Sequence, residues 1–248
     1  EGLRTPGNLS FTAIGARPPE GFLIGNLVME EGASIRLDGT VTTDANLNSA
    51  GKGSVSFSGQ TVTLRGSVIA PGGRINVEEP GVFQGFRESE KLPNALTTIL
   101  IGRTAVLSTA GKVLLVENPF DLRRGQVIAG GSINLNGNLV AESGAILDVS
   151  GSSGVLDLLP PSKSLGGKTN GPKTVPVKIA SNGGSISLSS KQMLFTDATL
   201  LGKAGGKSAT GGILSVGSGK FTPDQVNFTN AEANLIVTQN GLTIPIGG

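Results

Sequence analysis

Short pairs of apolar residues, each split by one intervening residue, recur along this chain at a constant step. The pairs Ile35/Leu37, Val55/Phe57 and Ile75/Val77 follow one another at intervals of 20 residues, and Val113/Leu115 and Ile133/Leu135 show the same interval. Alternation of apolar and polar positions is typical of a strand that buries one face. The pattern therefore predicts strands that recur every 20 residues.

Three strands fit into the unit that runs from Val55 to Ile75. Val55/Phe57 is followed by the pairs Val62/Leu64 and Val68/Ala70 before the next unit begins. Glycine and proline, which favour tight corners, separate these pairs. They stand at Gly59, Gly66, Pro71, Gly72 and Gly73. The unit therefore reads as a triangular coil of three short strands.

A single coil of this kind cannot bury its apolar face, but a stack of coils can. The sequence thus predicts an all-β fold, a right-handed parallel β-helix with about 20 residues per three-strand turn, as one domain over 1–248. We expect nine to eleven turns and a rod about 45–55 Å long. A sandwich or barrel of short strands is the alternative, although its turns come every 8–12 residues or so.

Two segments interrupt the repeat and are predicted to be loop insertions, at about 78–100 and 152–176. The first is rich in charged residues and the second in proline, glycine and lysine. The stretch from Leu92 to Leu100 could hold a short helix. Since loops on a rigid scaffold often carry function, we expect these insertions to be the most mobile or the most partner-engaged parts.

Composition removes many kinds of chemistry from consideration. The chain has no Cys, His, Trp or Tyr, 15% charged residues and a formal net charge of +2. Without Cys and His there are no disulfides, no thiolate or imidazole metal ligands and no Ser-His-Asp site. The thinly spread cations give no nucleic-acid footprint. No apolar run approaches the ~18 residues of a membrane helix.

Carboxylates are the remaining candidates for catalysis. Polysaccharide lyases and hydrolases also use β-helices, and they need convergent acids. The candidate acids are Asp38, Asp44, Asp148, Asp157, Asp197 and Glu142. No second acid recurs one turn away at equal phase, so we predict no catalytic, cofactor-binding or metal-binding residue. A carbohydrate-active β-helix enzyme is kept as the alternative function.

Other stretches that resemble functional motifs are not assigned a binding or modification role. The stretch 202–208 ends in Gly-Lys-Ser, but Leu201 stands where a phosphate loop needs Gly, and no helix pattern follows. Residues 44–48 lack the glycine and distal glutamate of a calcium loop. Asn8-Leu9-Ser10 matches a glycosylation pattern by chance. Outward polar residues are assigned to a solvated face, namely Ser56, Thr61, Thr63, Asn76, Asn134 and Ser187.

Two long stretches point to a known family. Residues 130–151, GGSINLNGNLVAESGAILDVSG, and 180–219, ASNGGSISLSSKQMLFTDATLLGKAGGKSATGGILSVGSG, resemble the filamentous haemagglutinin family of bacterial two-partner secretion. The resemblance implies a secreted, surface-associated right-handed β-helix, often an adhesin or fibre. The family's secretion domain carries Asn-Pro-Asn turns. Here Asn118-Pro119-Phe120-Asp121 lacks the second Asn, so the chain resembles the shaft of such proteins.

The predicted function is therefore a structural or adhesive rod, secreted to the bacterial outer surface or the extracellular matrix, and not an enzyme. The apolar segment Leu242–Gly248 has no charge, whereas the prolines within Arg4–Pro19 could cap the other end. We expect the apolar end to be covered by another copy in a head-to-tail fibre or by further coils of a longer chain. Other expected partners are surface glycans or host or neighbouring cells.

Overall fold

The computed structural model describes residues 7–13, 25–37, 52–79, 98–116, 119–159, 174–190, 193–218 and 236–237, and within them every regular element is a β-strand. The strands, in chain order, are β1 (Asn8–Ala13), β2 (Asn26–Met29), β3 (Ser34–Arg36), β4 (Ser54–Gly59), β5 (Thr61–Leu64), β6 (Ser67–Ile69), β7 (Arg74–Glu78), β8 (Ile99–Ile101), β9 (Val106–Ser108), β10 (Val113–Val116), β11 (Arg124–Val127), β12 (Ser132–Asn136), β13 (Leu139–Ala141), β14 (Ile146–Asp148), β15 (Ser153–Leu158), β16 (Val175–Ala180), β17 (Ser185–Ser190), β18 (Leu194–Thr196), β19 (Thr199–Leu201) and β20 (Ile213–Ser218).

Sixteen of these strands form three parallel sheets. Sheet A has the order β1-β4-β7-β12-β17-β20, sheet B the order β2-β5-β8-β13-β18, and sheet C the order β3-β6-β9-β14-β19. The chain visits sheets A, B and C in turn, so each round, here called a coil, adds one strand to every sheet. This is the stacking order of a β-solenoid, and the prediction of an all-β, parallel architecture is confirmed.

The core is built from the inward positions of all three sheets. Along β4 the exposure alternates strictly, with Val55 and Phe57 buried and Ser54, Ser56 and Ser58 half-buried. Residues from β5 and β6, such as Leu64 and Val68, join them in one apolar cluster. Burial of each such side chain contributes about 1.5–3 kcal/mol, so the alternating pattern stabilises the stack.

The constant 20-residue step is correct for one pair of coils and wrong for the others. Val55 lies opposite Ile75 as predicted. Ile35, however, pairs with Val68 in sheet C and not with Val55 in sheet A. In sheet A, Asn134 bonds to Asn76 across 58 residues of chain. Because so many residues lie between coils, the described chain forms five three-strand coils plus β20, not nine to eleven turns.

Two antiparallel hairpins stand outside the three sheets. The first pairs β10 with β11, so Val113 faces Val127 and is not part of the predicted repeat. The second pairs β15 with β16 and contains the described ends of the predicted insertion 152–176. Residues 160–173 of that insertion lie outside the described residues.

The other predicted boundaries fall only partly within the residues that the structure describes. Ile99 begins strand β8 and is fully buried, so the insertion predicted at 78–100 extended too far, and Ile99 and Leu100 are strand and not helix. The proposed amino-terminal cap contains β1, which pairs with β4 as an ordinary sheet A strand. The segment Leu242–Gly248 lies outside the described residues.

Candidate binding surface

The outer face of sheet A carries columns of small polar residues, one residue per strand. The central column consists of Ser10, Ser56, Asn76, Asn134, Ser187 and Ser215. Within it Asn134 donates from Nδ2 to Asn76 Oδ1 at 2.8 Å, and Asn76 donates from Nδ2 to Ser56 Oγ at 3.5 Å. The amides thus bond to one another along the stack.

The neighbouring column is also mostly small and polar, but it contains one charged residue, Arg74, and one apolar residue, Ile213. It consists of Asn8, Ser54, Arg74, Ser132, Ser185 and Ile213. Ser54 Oγ donates to Asn8 Oδ1 at 2.8 Å, and Arg74 Nε donates to Ser132 Oγ at 3.3 Å. Arg74 is therefore a cation in an otherwise neutral column.

A ladder of glycines runs beside this column, at the corner where each coil enters sheet A. Its members are Gly7, Gly53, Gly73, Gly131, Gly184 and Gly212, each placed immediately before a strand. A Cβ on Gly184 would lie 1.8 Å from the carbonyl oxygen of Gly131, and one on Gly131 would lie 1.9 Å from that of Gly73. Those carbonyls accept bonds from the next coil. Close stacking therefore excludes side chains here.

The bare corner forms an open groove with a volume of about 590 Å³. Its lining residues are Asn8, Lys52, Ser54, Gly72, Gly73, Arg74, Asn76, Ile128, Ala129, Gly130, Gly131 and Ser132. The two charged members, Lys52 and Arg74, are both positive, and the other polar members carry hydroxyl or amide groups. Such a lining can hold an anion and hydrogen-bond to neutral oxygen groups.

The two hairpins are joined by a pair of opposite charges. Arg123 donates from its backbone N–H to Asp157 Oδ2 at 2.7 Å and from a terminal nitrogen to Asp157 Oδ1 at 2.8 Å. The Asp157 N–H donates back to the Arg123 carbonyl at 2.9 Å. The Arg123 guanidinium and N–H hold the pKa of Asp157 below its usual range. This contact fixes β11 beside β15.

The hairpins also expose apolar side chains. Phe120 is 76% exposed in the turn between β10 and β11, and Leu159 is 58% exposed where β15 ends. Further exposed apolar residues on these strands are Leu115, Val155, Leu158, Val175 and Val177. Clusters of exposed apolar residues often mark interaction sites.

Three of the candidate acids that the structure describes have structural partners. Asp148 Oδ1 accepts from the Ser150 N–H at 2.8 Å, which is a local turn bond. Glu142 Oε2 accepts from the Arg103 N–H at 2.9 Å, and Asp157 pairs with Arg123. Asp197 follows β18 directly, and its N–H donates to the Ala141 carbonyl at 2.9 Å, so it lies one coil away from Glu142 at the corresponding position. The expectation that no second acid recurs one coil away at equal phase is therefore wrong for this pair. Asp38 and Asp44 lie outside the described residues, and among those described no three His, Cys, Asp or Glu are grouped to hold a metal ion.

The remaining motifs that the structure describes are parts of ordinary strands and links. The stretch 202–208 lies in the link from β19 to β20, where the Gly205 N–H donates to the Ser181 carbonyl at 2.9 Å, and a strand follows instead of a helix. Asn8-Leu9-Ser10 is part of β1. Residues 44–48 lie outside the described residues.

Sequence reasoning missed the corner groove and the first hairpin. A usable signal for the groove exists, since a glycine stands directly before every sheet A strand, as in Gly73-Arg74 and Gly131-Ser132. No comparable signal marks β10, because its alternation resembles that of a coil strand.

Comparison of the chain with protein-family models, with curated proteins and with solved structures gave no match. The described residues include no helix that is long and apolar enough to cross a membrane. The similarity to filamentous haemagglutinins therefore stays a prediction from the quoted stretches.

Proposed function

We propose that this chain forms a rigid β-solenoid rod with a structural or adhesive role, closed as a right-handed helix of about 20 residues per uninterrupted coil. The observation that supports it most is the shared core of the three parallel sheets. Each sheet gains one strand per coil, and their inward side chains pack in one cluster. Such solenoids are quasi-one-dimensional and stiff along the stack.

A location on the bacterial surface or in the extracellular matrix is part of this proposal. It is supported by the resemblance of residues 130–151 and 180–219 to secreted exoproteins, and by the absence of Cys from the sequence. The exposed apolar side chains of the hairpins, such as Phe120 and Leu159, are suited to adhesive contacts.

The two ends of sheet A are suited to head-to-tail contact between copies. β1 and β20 are each six residues long and each follows a glycine. Their inward positions hold Leu9 and Phe11 at one end, and Leu214 and Val216 at the other. Among the described strands each pairs on one edge only, and an unpaired parallel edge is a template for another strand.

The occupant that we propose for the β20 edge is β1 of a second copy, which continues the columns of sheet A in register. Serine would meet serine at the outward positions, since Ser10 and Ser215 occupy the same column. Contacts of this type do not close on themselves and produce a fibre.

The test is sedimentation of the full chain over a concentration series, with Leu214→Arg beside a matched Leu115→Arg control. Leu214 is 53% exposed and Leu115 is 55% exposed, so the two changes differ in place and not in accessibility. We expect the unaltered chain and L115R to associate as concentration rises and L214R to remain monomeric. A monomer at every concentration, or association of L214R equal to the unaltered chain, would exclude the fibre.

A further inference from the structure

We propose that the corner groove binds an acidic polysaccharide, with Lys52 and Arg74 holding its carboxylate or sulfate groups. This inference goes beyond the rod and does not depend on end-to-end assembly. It rests on the charge, shape and position of the groove in sheet A.

The glycines that form the floor of the groove are explained by packing alone. Besides the ladder, a Cβ on Gly130 would lie 2.0 Å from the carbonyl oxygen of Val149. Glycine is therefore required at these positions whether or not a ligand binds. The absence of side chains in the floor is thus not evidence for a ligand.

The cations, in contrast, are not required by packing. The column that holds Arg74 carries Ser54 on one side and Ser132 on the other, and both fit the same register. Lys52 precedes the ladder residue Gly53 and makes no ion pair within the described part of the chain. Two cations thus face one groove that no carboxylate lines.

The groups around the cations suit a sugar chain. Asn8, Ser54, Asn76 and Ser132 supply amides and hydroxyls, which both donate and accept hydrogen bonds. No aromatic side chain lines the groove, so binding would rest on charge and hydrogen bonds. Exposed charges are screened by salt, and the affinity should fall as ionic strength rises.

The shape favours a polymer over a small anion. The lining comes from β1, β4, β7 and β12 and their corners, which span three strand spacings, about 14 Å. A linear chain along this line would contact several coils at once. A single small anion would meet only two exposed charges, which bind weakly in water.

The experiment measures binding of the full chain to immobilised polygalacturonate, dextran sulfate and neutral dextran. The variant Lys52→Ser/Arg74→Ser removes both groove cations and gives position 74 the residue of its column neighbours. The control, Arg65→Ser/Arg103→Ser, removes two exposed cations from the turns between sheets B and C, so the change in net charge is the same. Circular dichroism of each variant checks that the sheets are kept.

We expect the unaltered chain to bind at least one acidic polymer, the groove variant to bind it about tenfold more weakly, and the control to bind it nearly unchanged. Preference for one acidic polymer would identify the group as carboxylate or sulfate. The inference would be overturned by an absence of binding to both acidic polymers, by equal loss in the two variants, or by equal binding to neutral dextran. None of these binding results changes the expected sedimentation or spin-label distance, so the fibre and the rod are tested separately from the groove.

Discussion

The glycine ladder is the feature in which single residues most directly determine the stack. At Gly184 a methyl group would overlap the Gly131 carbonyl oxygen, which accepts the Ser185 N–H at 2.9 Å. The backbone of two adjacent coils would have to separate to make room. A side chain at this corner is therefore costly even though the corner faces solvent.

Gly184→Ala should lower the free energy of unfolding by about 3 kcal/mol, as expected for forced overpacking. Gly217→Ala is the matched control, since nothing lies within 4 Å of a Cβ there, and it should change stability by less than about 0.5 kcal/mol. Denaturant titration measures both. Equal effects of the two substitutions would show that the coils are not in close contact at the corner.

A buried hydroxyl marks a second residue-level feature. Thr109 is fully buried beside Ala70 and Val149 in successive coils, and within the described part of the chain its Oγ1 has no hydrogen-bond partner. An unpaired buried polar atom costs about 1–3 kcal/mol. The position therefore suits an apolar residue of the same shape.

Thr109→Val should raise the free energy of unfolding by about 1 kcal/mol, because it removes the unpaired hydroxyl and keeps the volume. Thr109→Ser keeps the hydroxyl and deletes a methyl, so it should lower stability. Thermal or urea unfolding separates the two. A loss of stability in T109V would mean that the hydroxyl has a partner.

At the scale of elements, the contact between the hairpins should depend on pH. Asp157 accepts bonds from Arg123, which lowers its pKa from the usual value of 3.8. A carboxylate with a lowered pKa stabilises the fold above its unfolded pKa, and this stabilisation is lost as pH falls through the lowered value. The hairpin contact should thus be intact above about pH 4 and weaken below it.

Carbon-detected NMR of the Asp157 carboxyl group measures this pKa directly, and amide exchange in β15 reports the contact. Asp157→Asn should remove the acid dependence of the exchange while leaving sheets A, B and C protected. A titration midpoint at or above 3.8 would contradict the arrangement of Arg123 around Asp157.

The elements also show what the sequence can and cannot predict. The step from Val55 to Ile75 is correct because no insertion separates β4 from β7. Val113 fits the same alternation, yet it belongs to an antiparallel hairpin. A period of two reports one buried face and does not say which strand lies alongside. The register between strands that are separated by long insertions can therefore be read only from the structure.

The binding surface was predictable only in part, for a related reason. The outward polar positions Ser56, Asn76, Asn134 and Ser187 were identified, and they form one column. Their neighbours in the groove come from distant parts of the chain, such as Asn8 and Ser132. Only the register of the sheets brings these residues together.

At the scale of the whole molecule, the stacking of the coils places residues far apart in sequence on one straight column. Ser10 in β1 and Ser215 in β20 are both exposed and occupy the same column. Five strand spacings separate them in sheet A, which corresponds to about 24 Å. A rod of nine to eleven regular turns would place them farther apart.

The most direct test of the stacked coils is the distance between spin labels at Ser10→Cys and Ser215→Cys in the full chain, which has no other Cys. The labelled chain is diluted with excess unlabelled chain, so that only distances within one copy are measured. Pulsed electron paramagnetic resonance should give one narrow distribution centred near 24 Å, broadened only by the label linkers. A broad distribution, or one centred beyond about 40 Å, would contradict the stacking of β1, β4, β7, β12, β17 and β20 in a single sheet.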